Sequence, residues 1–206
     1  MSWAMTAGRY RRVLLVGADL ASCGLNWQHL EASAIFGDGA AAVIISNEGG
    51  GRLLASDFMT ISEGVDYCCI PAGGSRYHHN RGVCVEEFSA LAHFQMQGKA
   101  VFKLASQYLP DFLTRLLAKA KLSLSEIDWI VPHQASHLAL QHMQQRLGFA
   151  AEKVVNIFAH YGNQVAASLP TALDIAISKG DIHRGQTILL LGTGAGLSIA
   201  GAVLQF

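Results

Sequence analysis

The stretch Ile188–Leu204, ILLLGTGAGLSIAGAVL, decides the architecture. Two apolar runs flank a glycine-rich turn, and the second run alternates as a strand does. Thr187 to Leu191 and Ser198 to Leu204 therefore read as two adjacent strands. A phosphate loop needs a helix N-terminus behind its glycines. Here a strand follows, so Gly192-Thr193-Gly194-Ala195-Gly196 reads as a tight hairpin whose amides can face a site. A similar unit lies upstream, where Val13 to Ile45 runs strand, glycine turn, strand and ends in FGDGAAAVII. Two such closing units suggest a duplicated architecture. Most of what should precede the first is missing, so the chain is expected to begin in mid-domain.

Outward from these units, strands alternate with helices. Arg12 to Asp19 (RVLLVGAD) is a continuous apolar run, expected to be a strand buried on both faces. In Ala34 to Ser46 the Gly37-Asp38-Gly39 turn leads into a strand and is expected to be a turn and nothing more. Arg52 to Ile61 forms another strand, and Ile70 to Val83 an exposed polar loop. Between about Phe94 and Lys121, apolar residues from Val101 to Leu117 recur at helical spacing, with Pro110 expected to kink or restart the helix. Ser123 and Glu126 have capping-box spacing ahead of a strand from Ile127 to Val131. The next helix carries Leu140, Met143 and Leu147 on one face and stops at Gly148. Val154 to Phe158 reads as a buried strand, and a last helix from about Ala166 to Ser178 has Pro170 near its start. This alternation makes a layered α/β protein.

Of the 206 residues, 51% are hydrophobic and 15% charged, which excludes a disordered chain. Lys plus Arg equals Asp plus Glu at 15 each, so no global field draws nucleic acid or an anionic membrane. Arg9, Arg11 and Arg12 read as a solvated helix end. No apolar run reaches the roughly 18–20 residues of a membrane span, and Met1 to Arg12 lacks the apolar core of a signal peptide. Cys23, Cys68, Cys69 and Cys84, irregularly spaced, read as reduced thiols of a cytoplasmic protein. His133 with His137, and the loose group Cys68, Cys69, His78 and His79, fit no zinc pattern, and no metal is expected.

His133 stands where a strand ends and a helix begins, the place where α/β folds put ligands. Asn163, in the turn Tyr161-Gly162-Asn163, holds the equivalent place one unit later. Two polar groups at successive strand ends can converge on one carbonyl oxygen and stabilise charge developing there.

Five segments together resemble the β-ketoacyl-ACP synthase III family. Val131-Pro132-His133-Gln134-Ala135 resembles its VPHQA motif, and Tyr161-Gly162-Asn163 with Ala166-Ala167-Ser168-Leu169-Pro170 its (H/Y)GN…AAS.P segment. Phe36-Gly37-Asp38-Gly39-Ala40 is similar to its FGDGA turn, and Gly194-Ala195-Gly196-Leu197 to its GAGL loop. Met96, Gly98 and Val101-Phe102-Lys103 resemble the segment lining its pantetheine tunnel. The resemblance implies a thiolase-like layered fold (αβαβα) with its N-terminal half truncated. Residues 1–46 would be a remnant of that half and 47–206 the C-terminal half.

It also implies a decarboxylative Claisen condensation of an acyl-CoA with malonyl-ACP, initiating fatty acid synthesis. A Cys takes the acyl group, and His133 and Asn163 hydrogen-bond the malonyl thioester oxygen. Backbone amides at the nucleophile and around Ala195 and Gly196 form a second oxyanion hole. Met96, Gly98, Phe102 and Ser136 would line the pantetheine tunnel, with Lys103 and Arg146 for docking the acyl carrier protein. No cofactor is implied, since coenzyme A thioester and phosphopantetheine are substrates. The full-length parent would be a homodimer. The four cysteines lie in segments that do not match the nucleophile's motif, so the fragment is expected to be inactive alone. Ser136 stands where the family often has Asn, and Leu138 near a position often basic. The alternatives are a non-catalytic half-fold partner protein, or a fragment of a related polyketide or quinolone starter synthase.

Overall fold

The computed structural model describes residues 8–78, 80, 82 and 84–206. The reading of residues 1–7, and the place of His79 in a Cys/His group, lie outside them. In chain order the elements are β1 (Arg12–Asp19), α1 (Leu30–Ser33), β2 (Gly39–Ser46), β3 (Arg52–Thr60), β4 (Cys68–Cys69) and α2 (Val85–Leu91). There follow β5 (Gln95–Met96), α3 (Gly98–Ala120), β6 (Trp129–Pro132), α4 (His137–Leu147), α5 (Phe158–Tyr161), α6 (Ser168–Ser178), β7 (Thr187–Gly194) and β8 (Ser198–Gln205).

The hairpin read from Ile188–Leu204 is present, β7 and β8 pairing antiparallel from Thr187↔Gln205 to Gly194↔Ser198. It forms the centre of a four-stranded sheet in the order β3-β8-β7-β6, with β6 parallel to β7 and β3 antiparallel to β8. Side chains alternate across this sheet because successive residues of a strand point to opposite faces. Leu189, Leu191, Ile199 and Val203 meet Phe112, Leu113 and Leu116 of α3 on one face. Ile188 and Val131 meet Ala172 and Ala176 of α6 on the other. A side chain so enclosed contributes roughly 1.5–3 kcal/mol relative to exposure. Gly201 allows the close approach of α3, since a Cβ there would lie 2.6 Å from Leu116 Cδ2 and 3.0 Å from Phe112 Cε1.

The earlier unit also closes as an antiparallel pair, β1 with β2, from Arg12↔Ser46 to Asp19↔Gly39. Its inner face lies on the start of α6, where a Cβ on Gly17 would stand 3.3 Å from the backbone of Ala166 and Ala167. The described layers are therefore α3, the four-stranded sheet, α6 and the β1–β2 pair. That is the thiolase-like α/β stacking the resemblance implies.

Several local expectations are corrected. β1 is covered on one face only, because no layer among the described residues reaches the other; Leu14, Val16 and Ile44 point outward at 62%, 64% and 69% exposure. Val154–Phe158 is not a strand. Val154 makes a single parallel bridge to Ile130, and Asn156 Oδ1 then accepts Phe158 N at 3.1 Å and turns the chain into α5. The strand expected from Ile127 begins at Trp129, since the capping box of Ser123 and Glu126 closes a helical turn over Leu124–Glu126. The long helix starts at Gly98, because Gln95–Met96 pairs with Cys68–Cys69 as β5 and β4. It runs through Pro110 to Ala120 as one helix, held by the apolar face on either side of the proline. Arg9, Arg11 and Arg12 lead into β1 and not a helix, and Arg12 pairs with Glu48 at 2.7 Å. Among the described residues no helix is long and apolar enough to cross a membrane.

Candidate active site

β6 and β7 carry His133 to the sheet's end, where its amide continues the parallel ladder onto Leu191 O at 2.8 Å. The next residue fixes the loop behind it. Gln134 is wholly buried; its Nε2 donates to Pro132 O at 2.9 Å and Val155 O at 3.2 Å, while its Oε1 accepts Ile157 N at 2.9 Å. A buried amide satisfied at both ends ties the His133 turn to the segment leading to Asn163.

Asn163 is held from three sides. Its amide donates to Ile35 O at 2.8 Å and its carbonyl accepts Gly37 N at 3.0 Å. Its side-chain Oδ1 accepts Val165 N at 2.9 Å, and Nδ2 donates to Ala135 O at 3.3 Å. The Gly37-Asp38-Gly39 turn is thus more than a local turn, which corrects the expectation from sequence. It pairs with the Asn163 loop through the bridge Phe36↔Asn163, and Asp38 O accepts Gln164 Nε2 at 3.1 Å. Two hydrogen bonds from Ser22, at 2.6 Å and 2.8 Å, brace the Asp38 carboxylate and lower its pKa. Val165 takes a φ of 52°, which for a β-branched residue costs on the order of 1–3 kcal/mol. That strain sits directly beside the Asn163 side chain.

His133, Asn163, Ala195, Met96, Gly98, Phe102 and Ser136 all line one cleft of about 1520 Å³, and so does Arg146. Its walls are mainly apolar, as in most small-molecule sites. Gly196 lies in the turn behind Ala195 with a φ of 98°, and Lys103 stands exposed on α3; neither lines the cleft. Ser136 serves first as the cap of α4, its Oγ accepting Ala139 N at 3.1 Å. Cys68 also lines the cleft, but burial and the neighbouring Cys69 raise its pKa and hold it as a thiol. Among the described residues no three His, Cys, Asp or Glu side chains gather as a metal group.

Sequence reasoning gave no role to two residues the structure brings to the centre. One is Gln134. The other is Ser168, fully enclosed, with Oγ 2.7 Å from His133 Nδ1 and 2.9 Å from Val165 O. Both lie inside the motifs quoted above, but nothing in their spacing says what they touch.

His133 lines the cleft but is largely enclosed by protein, and burial pushes its pKa down to about 4. An unfolded histidine titrates near 6.5. As pH falls from 6.5 towards 4, the unfolded chain takes up a proton that the folded chain refuses, so stability is lost across that window. His133→Gln removes this share. The stability difference between wild type and variant should move by on the order of 3 kcal/mol in the variant's favour from pH 7 to pH 4, read by urea unfolding.

Residues 117–206 match the model of the 3-oxoacyl-[acyl-carrier-protein (ACP)] synthase III C terminal, and residues 1–62 that of 3-oxoacyl-[acyl-carrier-protein (ACP)] synthase III. The chain belongs to the 3-oxoacyl-ACP synthase III family. A β-ketoacyl-ACP synthase III of Synechocystis sp. is 34% identical over 206 residues, with 98% of this chain and 61% of the relative covered. That of Clostridioides difficile is 36% identical over 200 residues, covering 97% and 60%. The crystal structure of the Pseudomonas aeruginosa synthase III superposes with a TM-score of 0.85 at 31% identity, over 99% of this chain and 61% of that one. The chain therefore spans about 60% of the length of these synthase III relatives.

Proposed function

We propose that this chain carries the enolate-forming half of a synthase III site, in an acyltransferase that condenses an acyl-CoA with malonyl-ACP and starts fatty acid synthesis. One observation carries the reading: His133 and Asn163, from successive loops, open on one apolar cleft and are joined through the Ala135 carbonyl. Loss of carbon dioxide from a malonyl thioester leaves an electron pair that delocalises onto the thioester oxygen. A fixed donor in a water-poor cleft stabilises that charge without a metal. The Asn163 amide has one hydrogen on Ala135 O and a second uncommitted, which suits it to this oxygen.

The acyl group needs a thiolate. Cys68, the cleft-lining thiol with its raised pKa, is a poor one, so the nucleophile is assigned to sequence outside these 206 residues. In this reading residues 1–46 belong to an N-terminal half and 47–206 to a C-terminal half, in a cytoplasmic homodimer. Phosphopantetheine of the acyl carrier protein would enter past Met96, Gly98 and Phe102, with Lys103 and Arg146 meeting the carrier. A second reading, a half-fold that pairs with another chain without catalysis, is favoured by the outward Leu14, Val16 and Ile44.

The test is a fusion of this chain behind the N-terminal segment of the Synechocystis relative that it does not cover. Formation of 3-oxoacyl-ACP from acyl-CoA and malonyl-ACP supports the enzyme reading. A folded but inactive fusion, beside a stable complex of the 206-residue chain with an intact synthase, supports the second.

A further inference from the structure

We infer that His142 and Ser106 form a latch that fixes the Phe102 ring in the cleft wall, which makes His142 a positioning residue for the thioester arm. Phe102 and Ser106 stand one turn apart on α3, so their side chains share a face of that helix. His142 reaches both from α4. Its ring meets the Phe102 ring at a centroid distance of 4.4 Å and a tilt of 52°, and its Nε2 lies 3.1 Å from Ser106 Oγ. Ser106 Oγ also lies 2.7 Å from the carbonyl oxygen of Phe102. These contacts close on themselves, so the backbone and the ring of Phe102 are tied to the same imidazole.

All three residues line the cleft, and Phe102 is 40% exposed. A side chain that open ordinarily keeps rotamer freedom, and a ligand that needs its ring in one place loses affinity in fixing it. Packing on His142 removes that freedom beforehand. The imidazole is itself free to turn unless something holds it, and the bond to Ser106 is that hold. Two polar side chains can stand in a mainly apolar wall here because each satisfies the other. This inference rests on the synthase III reading and deepens it. A coenzyme A thioester and the phosphopantetheine of a carrier protein present the same arm, so both substrates would meet the same ring. The latch acts on how that arm is held and leaves the charge formed at the thioester to other groups.

The test compares KM and kcat for acyl-CoA and malonyl-ACP in the fusion enzyme. His142→Ala is expected to raise KM for both substrates by about 3–10-fold, with kcat held within about twofold. Ser106→Ala keeps the ring pair but frees it, and should raise both by about 2–3-fold. The double variant should be no worse than His142→Ala alone, because both changes act through one ring. A mere clasp between two helices would lower the melting temperature and leave both KM values in place, and that result overturns the inference. A rise for one substrate only overturns it too. If His142→Ala does not fold, Ser106→Ala alone decides, and an unchanged KM in it is fatal. If the fusion makes no product, its calorimetric Kd for coenzyme A takes the place of KM. Weaker binding in His142→Ala then upholds the latch while the synthase reading falls. Equal affinity, or no binding by the folded fusion, overturns the latch.

Discussion

Replacing Asn163 by alanine in the active fusion is expected to lower 3-oxoacyl-ACP formation by about 10²–10³-fold, the usual loss when one preorganised donor is removed from an oxyanion site. Asn163 does two things, and the alanine variant removes both. Its Nδ2 is the donor, while its Oδ1 holds Val165 N at 2.9 Å and so supports a backbone turn of unfavourable φ. Asn163→Asp separates them. The carboxylate can still accept from Val165 but has no hydrogen to donate, so activity should fall at least as far while the melting temperature falls less. Activity kept in Asn163→Asp, together with the smaller melting loss, would show that Asn163 only shapes the loop.

Gly37→Ala should be the most damaging single-methyl change near the site. A Cβ at Gly37 would overlap the backbone carbonyl oxygen of Tyr161, and a backbone cannot step aside as a side chain can. The turn must then separate from the Asn163 loop, with loss of the bonds from Gly37 N and Asn163 N. Overpacking together with two broken backbone bonds is expected to cost about 3 kcal/mol. For a chain of this size that is roughly 6–12 °C in melting temperature. Gly39→Ala is the matched control. There the overlap is with Nε2 of Gln164, the end of a flexible side chain, and the cost should be about 1 kcal/mol. Equal effects of the two substitutions would contradict the assignment of Gly37 as the docking point.

This pair also shows where reading the sequence stops. The motif around Gly37 was legible as a turn because Gly and Asp favour one locally. Its pairing with a loop more than a hundred residues later leaves no local trace. The same limit hid Ser168 and Gln134, whose partners are set by the stacking of α6 and the Val155–Ile157 segment against β6. What could be read depended on periodicity. The alternation of β7 and β8, the apolar face of α3, and the stop of α4 at Gly148, with its φ of 70°, all follow from it. Continuous apolar runs were ambiguous. RVLLVGAD reads the same whether one or both faces are covered. Val154–Phe158 fails as a strand because the Asn156 side chain bonds the backbone two residues on, competing with a ladder.

The most direct measurement is release of labelled carbon dioxide from malonyl-ACP by the fusion enzyme, beside its Asn163→Ala form. Carbon dioxide release matched by 3-oxoacyl-ACP, and lost by two orders of magnitude or more on removal of the Asn163 amide, would establish that this chain forms the enolate. Release that persists undiminished in a folded Asn163→Ala enzyme would contradict it, and would place the donor for the thioester oxygen elsewhere in the protein.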